Sequence, residues 1–176
     1  MDASLARSLR KLNDRTENIN GELQTWSPVR LGYRPSDDAW SALDLLEHLR
    51  LTERAVLETM QRNLGSGNRV TLKDRFRSAR VLAIMLLPTR LKVPGSVKSI
   101  LPTRAPGDLA EIRIEWTHDR RRLADFLETL SGTDREEGVF RHPFGGWTTP
   151  RGALCFLRSH LCHHRYQLAR LRRSSR

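Results

Sequence analysis

The sequence predicts an all-α protein: an antiparallel four-helix bundle with an extra short helix and a long loop in its second connection. Apolar residues recur at helical spacing along four long segments, and proline, glycine and capping residues separate those segments. No segment shows the convincing apolar–polar alternation of a strand. A chain of 176 residues is also long enough to bury a core, so residues 1–176 are expected to form a single domain.

The first two long helices are predicted over residues 4–26 and 39–64. Leucine and isoleucine at helical spacing mark the first helix, and Pro28 ends it. An irregular loop with two prolines and a glycine is expected over residues 27–36, and residues 36–38 offer N-caps for the second helix. The apolar stripe of the second helix includes His48, so this histidine is expected to point inward.

The second connection is predicted to begin with a shorter basic helix over residues 71–87, which Pro88 ends. The sequence after Pro88 is rich in proline and glycine as far as Gly107, and it predicts an irregular segment. Loops of this length in a compact domain are often functional or cover a site.

Two more long helices are predicted over residues 108–130 and 150–172, joined by an aromatic, glycine-rich loop over 139–147. Threonine followed by proline is a good start for the last helix, because proline suits the first helical position. The apolar stripe of this helix includes His160 and His164, which are therefore expected to face the core of the bundle.

The net charge of +11 is concentrated in two segments. Residues 69–104 carry nine basic side chains and one acidic one, and residues 138–176 carry eight arginines and no acid. Nucleic acid, a membrane surface or an acidic small molecule would suit such segments. Pairing with the acidic segments of the same chain, which leaves a solvated basic surface, is the interpretation we favour, since no nucleic-acid-binding motif is present.

Cys155 and Cys162 lie seven residues apart on one predicted helix, too far to form a disulfide. A reduced, cytoplasmic protein is therefore expected.

Charged residues interrupt the N-terminal segment where a signal peptide would be apolar. The longest apolar run, residues 81–87, is far too short to span a bilayer.

The run that contains His160, His163 and His164 near the C-terminus is the main indication of a metal site or a catalytic site. His160 and His164 are four residues apart, so on a helix both imidazoles can reach one metal ion, and the inward His48 is a third candidate ligand. The alternative is a set of core histidines with hydrogen-bond partners. His163 is rotated about 100° from His164 and is expected to face away, and His118 is expected on the polar surface.

Imidazole ligands suit zinc, nickel, copper or iron, and three protein ligands leave a coordination position open for water or a substrate thiolate. Gln167 lies near the same helical face, as a contact of a ligand or of the substrate. His142 and Glu47 are candidate general bases, and Trp147 and Phe144 are expected to line the mouth of a pocket or to pack within their loop.

The order and spacing of several short motifs resemble those of the DinB/YfiT-like superfamily, from about residue 5 to 170. The motifs are Trp40-Ser41-x6-His48-Leu49, His142-Pro143-Phe144-Gly145, Thr148-Thr149-Pro150 and His160-x3-His164-x2-Gln167, with Leu91-Lys92-Val93-Pro94 and Leu101-Pro102 in the long connection. The resemblance implies an up-down-down-up bundle and a divalent metal held by His48, His160 and His164. Members are described as metal-dependent hydrolases or as transferases of a low-molecular-weight thiol such as bacillithiol or mycothiol, and many form homodimers.

The function expected from the sequence and the resemblance is a metal-dependent transferase that joins a low-molecular-weight thiol to an electrophilic small molecule. The metal expected is zinc, with nickel or iron as alternatives. Three other functions stay open: a hydrolase that uses metal-bound water, a non-catalytic basic protein that binds nucleic acid or a membrane surface, and a member whose histidines are only core residues.

Overall fold

The computed structural model describes residues 1–88 and 108–174, and this part of the chain is predominantly helical. It contains six α-helices, one two-stranded sheet and a single turn of 3-10 helix at Asp134–Glu136. The α-helices are α1 (Ala3–Gln24), α2 (Pro28–Gly32), α3 (Ala42–Asn63), α4 (Leu72–Met85), α5 (Leu109–Thr129) and α6 (Pro150–Ser174), and the strands are β1 (Phe140–His142) and β2 (Gly146–Thr148). The predicted all-α class is confirmed, and the predicted long irregular segment with its motifs lies outside the described residues.

The N-terminus of α3 is three residues later than the sequence pattern predicts. Ser41 caps the helix, and Asp44 completes a capping box by accepting a hydrogen bond from the backbone N–H of Ser41. Arg34 also binds the Asp44 carboxylate at 2.8 Å. The predicted caps at residues 36–38 are wrong because this reciprocal pair satisfies the free N–H groups of the first turn.

Two short elements were not expected from the sequence. Pro28 lies in the segment expected to be an irregular loop, but it starts α2, because proline suits the first helical position and Ser27 caps the helix. The predicted loop over 139–147 contains the antiparallel hairpin of β1 and β2, whose register pairs Phe140 with Thr148. Strands of three residues are too short to show alternation, and Gly146 has a φ of 80°, which favours glycine.

The four long helices pack in a closed series: α1 lies against α6, α6 against α3, α3 against α5, and α5 against α1. Their facing leucines form the core, and those that are fully buried include Leu12, Leu45, Leu123 and Leu154. Helix α4 lies outside this series and packs on β2 and α6. Each helix in the described part of the chain is too short or too polar to cross a lipid bilayer.

A buried polar network joins α1, α3 and α5. The Glu53 carboxylate accepts hydrogen bonds from Trp116 Nε1 at 2.9 Å and from the Arg120 guanidinium at 2.7 Å. Arg120 also donates to Asn13 and Thr16 of α1. Because the Glu53 side chain is only 3% exposed and that of Arg120 13% exposed, each charge depends on the other for the solvation that water no longer provides.

Replacing Glu53 by alanine is expected to lower the free energy of unfolding by about 3–5 kcal/mol, because Arg120 would keep a buried charge without its carboxylate. Glu58→Ala is the matched control, since it removes the exposed pair with Arg54 and should cost no more than about 0.5 kcal/mol. Urea denaturation followed by circular dichroism measures both values. Equal losses in the two variants would contradict a stabilising role for the network.

Candidate metal centre

Two helices bring three imidazoles together. The capping box at Ser41 sets the start of α3, so His48 lies in its second turn on the face that packs against α6. His160 and His164 lie one turn apart in the middle of α6 and face α3. All three side chains are buried, with His48 only 1% exposed. Close packing of α3 on α6 therefore gathers the imidazoles inside the protein.

The ring nitrogens of the three histidines converge on one point. His48 Nε2 lies 3.3 Å from His160 Nε2, which lies 3.0 Å from His164 Nε2. One nitrogen from each residue lies within 4.8 Å of the other two, and these residues form the group of potential metal ligands in the described part of the chain. The structure thus brings together the three histidines that the sequence suggested as ligands; metal binding itself stays a prediction.

These separations fit a single divalent cation. Nitrogens bound tetrahedrally to zinc at the usual bond length lie about 3.3–3.4 Å apart, and nitrogens at right angles on an octahedral ion lie about 2.9 Å apart. The two shorter observed separations, 3.0 and 3.3 Å, fall within that interval. An all-imidazole donor set suits zinc, and it also suits nickel or iron.

Burial keeps the imidazoles of His160 and His164 neutral. It lowers the pKa of His160 well below its ordinary value, and the proximity of His164 and His48 lowers it further. Burial also lowers the pKa of His164 to about 3, with His48 as the next cause. Neutral imidazole is the form that binds a metal, so no proton has to be removed from these two side chains near pH 7.

Residues around the imidazoles fix their orientation. Gln167 Oε1 lies 3.1 Å from His164 Nδ1, and because an amide oxygen only accepts, Nδ1 carries the proton and Nε2 presents its lone pair. The Trp40 ring packs on His48 at 4.8 Å, and the Phe156 ring stacks on His160 at 5.6 Å. The sequence reasoning gave Phe156 no role, although its position four residues before His160 places both on one helical face.

His142 lies beside the site, but its hydrogen bonds disfavour the predicted role of general base. Its Nδ1 accepts hydrogen bonds from the backbone N–H groups of Phe144 and Gly145, each at 3.1 Å. The proton of the neutral ring is therefore on Nε2, which donates and does not accept. Burial lowers the pKa of His142 to about 4, and its ring lies 4.9 Å from that of Phe156.

Glu47, the other candidate base, is held away from the imidazoles by an arginine. Both of its oxygens bind the Arg50 guanidinium, at 2.6 and 2.9 Å. Arg50 also pairs with Asp119 and Glu115 of α5. The hydrogen bond with Glu47 is the largest cause that raises the pKa of Arg50. Glu47 is therefore a structural partner of Arg50 and is not suited to take a proton from a substrate.

Trp147 and Phe144 were expected to line the mouth of a pocket or to pack within their loop, and both lie on the hairpin or its turn. Trp147 lines a separate cleft of about 630 Å³ between α4 and the N-terminal turns of α1 and α6, and none of the three histidines lines that cleft. Phe144 lies at the tip of the hairpin and is 60% exposed. The Phe144 ring lies 6.1 Å from that of His142, and the sequence pattern gave no sign of the hairpin that carries both residues.

The neighbouring His163 turns toward α4. Burial lowers the pKa of His163, and the nearby backbone at Leu87 and Met85 partly opposes that shift. The hydroxyl of Tyr166 donates to the carbonyl of Leu86 at 3.2 Å. Two side chains of α6 thus bind the C-terminal end of α4, one of them directly beside the candidate ligand His164.

A comparison with protein families supports the resemblance seen in the sequence. The family model described as the DinB superfamily matches residues 5–168, a span that includes all three clustered histidines and most of the chain. A comparison with curated proteins finds no match. The residues that the family model matches thus include the three histidines whose ring nitrogens converge in the structure.

We expect the metal-free protein to lose stability as the pH falls below about 6.5. Burial lowers the pKa of His164 to about 3 in the folded protein, whereas the ordinary value is 6.5. The unfolded chain therefore binds more protons between these two pH values, so the free energy of unfolding decreases as the pH falls through that window. Urea denaturation at a series of pH values, with a chelator present, measures this dependence.

The double variant His160→Leu/His164→Leu should show a weaker pH dependence, with the remainder due to His142 and His163, whose pKa values burial also lowers. His118→Leu is the control, because its side chain is 72% exposed and the full dependence should persist. An unchanged slope in the double variant would contradict the assignment to the buried cluster.

Proposed function

The chain belongs to the DinB superfamily, and from that premise we propose that it is a metal-dependent enzyme in which His48, His160 and His164 hold one divalent cation, zinc first. The observation that carries the proposal is the convergence of three buried ring nitrogens: His160 Nε2 lies 3.3 Å from His48 Nε2 and 3.0 Å from His164 Nε2, and all three residues offer a nitrogen within 4.8 Å of the others. Buried polar atoms require partners, and a cation satisfies three converging lone pairs at once.

The proposed architecture follows from the same premise. The closed packing series of α1, α6, α3 and α5 supports an antiparallel four-helix bundle with up-down-down-up order. In that arrangement α4 belongs to the second connection, between α3 and α5. One domain would then extend over residues 1–176, with the metal site between the second and fourth helices of the bundle.

The proposed reaction is transfer of a low-molecular-weight thiol to an electrophilic small molecule. A divalent cation supplies positive charge that deprotonates a coordinating thiol near neutral pH. Such a reaction needs little help from a protein base, which suits a site whose nearest candidates are occupied: Glu47 binds Arg50, and His142 Nδ1 accepts two backbone hydrogen bonds. Because neither candidate base is free to accept a proton, thiol transfer is favoured over hydrolysis of the same electrophile.

The surrounding residues would orient the ligands and exclude water. Gln167 holds His164 in the tautomer that presents Nε2. Trp40 and Phe156 cover the rings of His48 and His160, so the ligands cannot rotate freely. A preorganised, dry set of neutral ligands strengthens binding of a cation because little order has to be gained.

Untagged wild-type protein is expected to contain close to one equivalent of divalent metal, measured by plasma mass spectrometry. His160→Ala/His164→Ala should lose it, and Gln167→Leu should bind about 10–100-fold more weakly because His164 loses its orienting partner. His118→Ala is the matched control, since it removes an exposed histidine and should keep the metal. Metal-free wild-type protein, even after incubation with zinc, would contradict the proposal.

Zinc-loaded protein is expected to accelerate conjugation of bacillithiol or mycothiol with monochlorobimane, a reaction that forms a thioether and releases chloride and a proton. The His160→Ala/His164→Ala variant should show only the uncatalysed rate. Hydrolysis of p-nitrophenyl acetate by the same preparation tests the competing activity, since three protein ligands also leave a position for water. Faster ester hydrolysis without faster conjugation would favour the hydrolase.

A further inference from the structure

Helix α4 carries different chemistry on its two sides. The side that packs on α6 and the hairpin carries Ser78, Leu82 and Met85, which are buried or half-buried. The opposite side carries Leu72 and Phe76, which are 84% and 73% exposed. Large apolar side chains with this exposure are costly in water, and they lie one turn apart on the same face.

Four cations surround this apolar pair. Only Asp74 is acidic in the helix, and it is engaged in the capping box with Thr71. The exposed basic residues of α4 are Lys73, Arg75, Arg77 and Arg80. At 100° per residue, Lys73, Arg75 and Arg80 project about 60–80° from the outward direction that Leu72 and Phe76 define, and Arg77 about 120°. Arg75 also lines the cleft beside Trp147, and the pKa of Asp74 is lowered by its hydrogen bonds with Thr71 and also by Arg77. None of the four cations forms a direct ion pair with a carboxylate among the described residues, so their charges stay available to an anionic partner.

The apolar surface continues beyond the helix itself. Leu86 and Leu87 at its C-terminal end are 52% and 53% exposed. The hairpin tip lies against α4, because the Ser78 hydroxyl donates to the carbonyl of Gly145 at 3.0 Å. Phe144, the neighbour of Gly145, is 60% exposed. Exposed apolar side chains therefore extend along α4 and onto the adjoining loop.

We propose that the outward face of α4, defined by Leu72, Phe76 and the four cations around them, docks the protein on an anionic phospholipid bilayer. A helix with apolar side chains in the middle of a basic face lies in the membrane interface with its axis parallel to the surface. Its apolar side chains enter the boundary of the acyl chains, and its lysine and arginine side chains contact the phosphates.

Charge complementarity favours an anionic bilayer over the other partners that could cover this face of α4. A second copy of the face would bring four cations against four like charges. Residues 89–107 of the chain carry four basic residues and no acidic one, so they also repel α4. Nucleic acid would neutralise the cations, but its phosphate backbone offers no apolar partner for Leu72 and Phe76. An anionic bilayer satisfies both the charges and the apolar side chains.

Cosedimentation with vesicles tests the proposal. The metal-loaded wild-type protein is expected to bind vesicles of phosphatidylcholine mixed with an equal amount of phosphatidylglycerol, and not vesicles of phosphatidylcholine alone. Leu72→Ser/Phe76→Ser should lower the partition coefficient more than about tenfold, and Lys73→Gln/Arg77→Gln about 25-fold. Added salt should weaken binding of the wild type.

Two matched double variants serve as controls. Val29→Ser/Ile114→Ser removes two equally exposed apolar side chains elsewhere, and Lys11→Gln/Arg121→Gln removes two exposed cations elsewhere. Both should bind vesicles as the wild type does. Equal losses in variants and controls would overturn the proposal, because net charge or general hydrophobicity would then explain binding.

Other occupants give different results, each of which would overturn the proposal. If a second copy covers the face, the wild type will sediment as a dimer and Leu72→Ser/Phe76→Ser as a monomer, without vesicle binding. If another segment of the chain covers it, the same variant will lose thermal stability instead. If nucleic acid is the partner, duplex DNA will displace the protein from vesicles, and the serine variant will still bind DNA.

Discussion

The contact between α3 and α6 is the constraint on which the candidate site depends. Each helix buries its histidines on the face that meets the other, so the imidazoles can neither reach bulk water nor separate without opening the core. Burial lowers the pKa values of His160 and His164. Protonation therefore does not provide hydrogen-bond donors that would satisfy their neighbours' lone pairs. His160 Nε2 lies 3.0 Å from His164 Nε2 and 3.3 Å from His48 Nε2, so these nitrogens must share protons or share a cation, and only a cation serves all three at once.

The position of α3 is determined by polar contacts as much as by leucines. Arg50 and Glu53 lie two and five residues after His48, and they bind Asp119 and Arg120 of α5. These contacts restrict rotation of α3 about its axis, whereas apolar packing alone tolerates small rotations. A rotation of one residue would turn His48 through about 100° and remove it from the cluster. The buried ion pairs therefore contribute register to the site, whatever their net effect on stability.

The sequence was sufficient for the parts of the site that depend on helical periodicity. His160 and His164 share a face because they are four residues apart. His48 belongs to the apolar stripe of its helix, which predicts that it points inward. Periodicity does not describe short elements, so it missed the hairpin that fixes the tautomer of His142 through two backbone N–H groups. It also could not show that Trp147 lines a separate cleft, because that cleft is formed by segments distant in sequence. Local pattern predicts which way a helical side chain points but not which loop reaches it.

Helix α6 links the two proposals physically. It carries the candidate ligand His164, and the adjacent His163 together with Tyr166 contacts the C-terminal end of α4. If α4 lies on a bilayer, its contacts with α6 would keep the metal site close to the membrane surface. Apolar electrophiles accumulate there by partition. The bundle would then hold the cation that activates the thiol, and the basic apolar face of α4 would select where the reaction occurs. The two depend on different residues, since the ligands lie on α3 and α6 and the docking side chains on α4, so loss of either one leaves the other open to measurement.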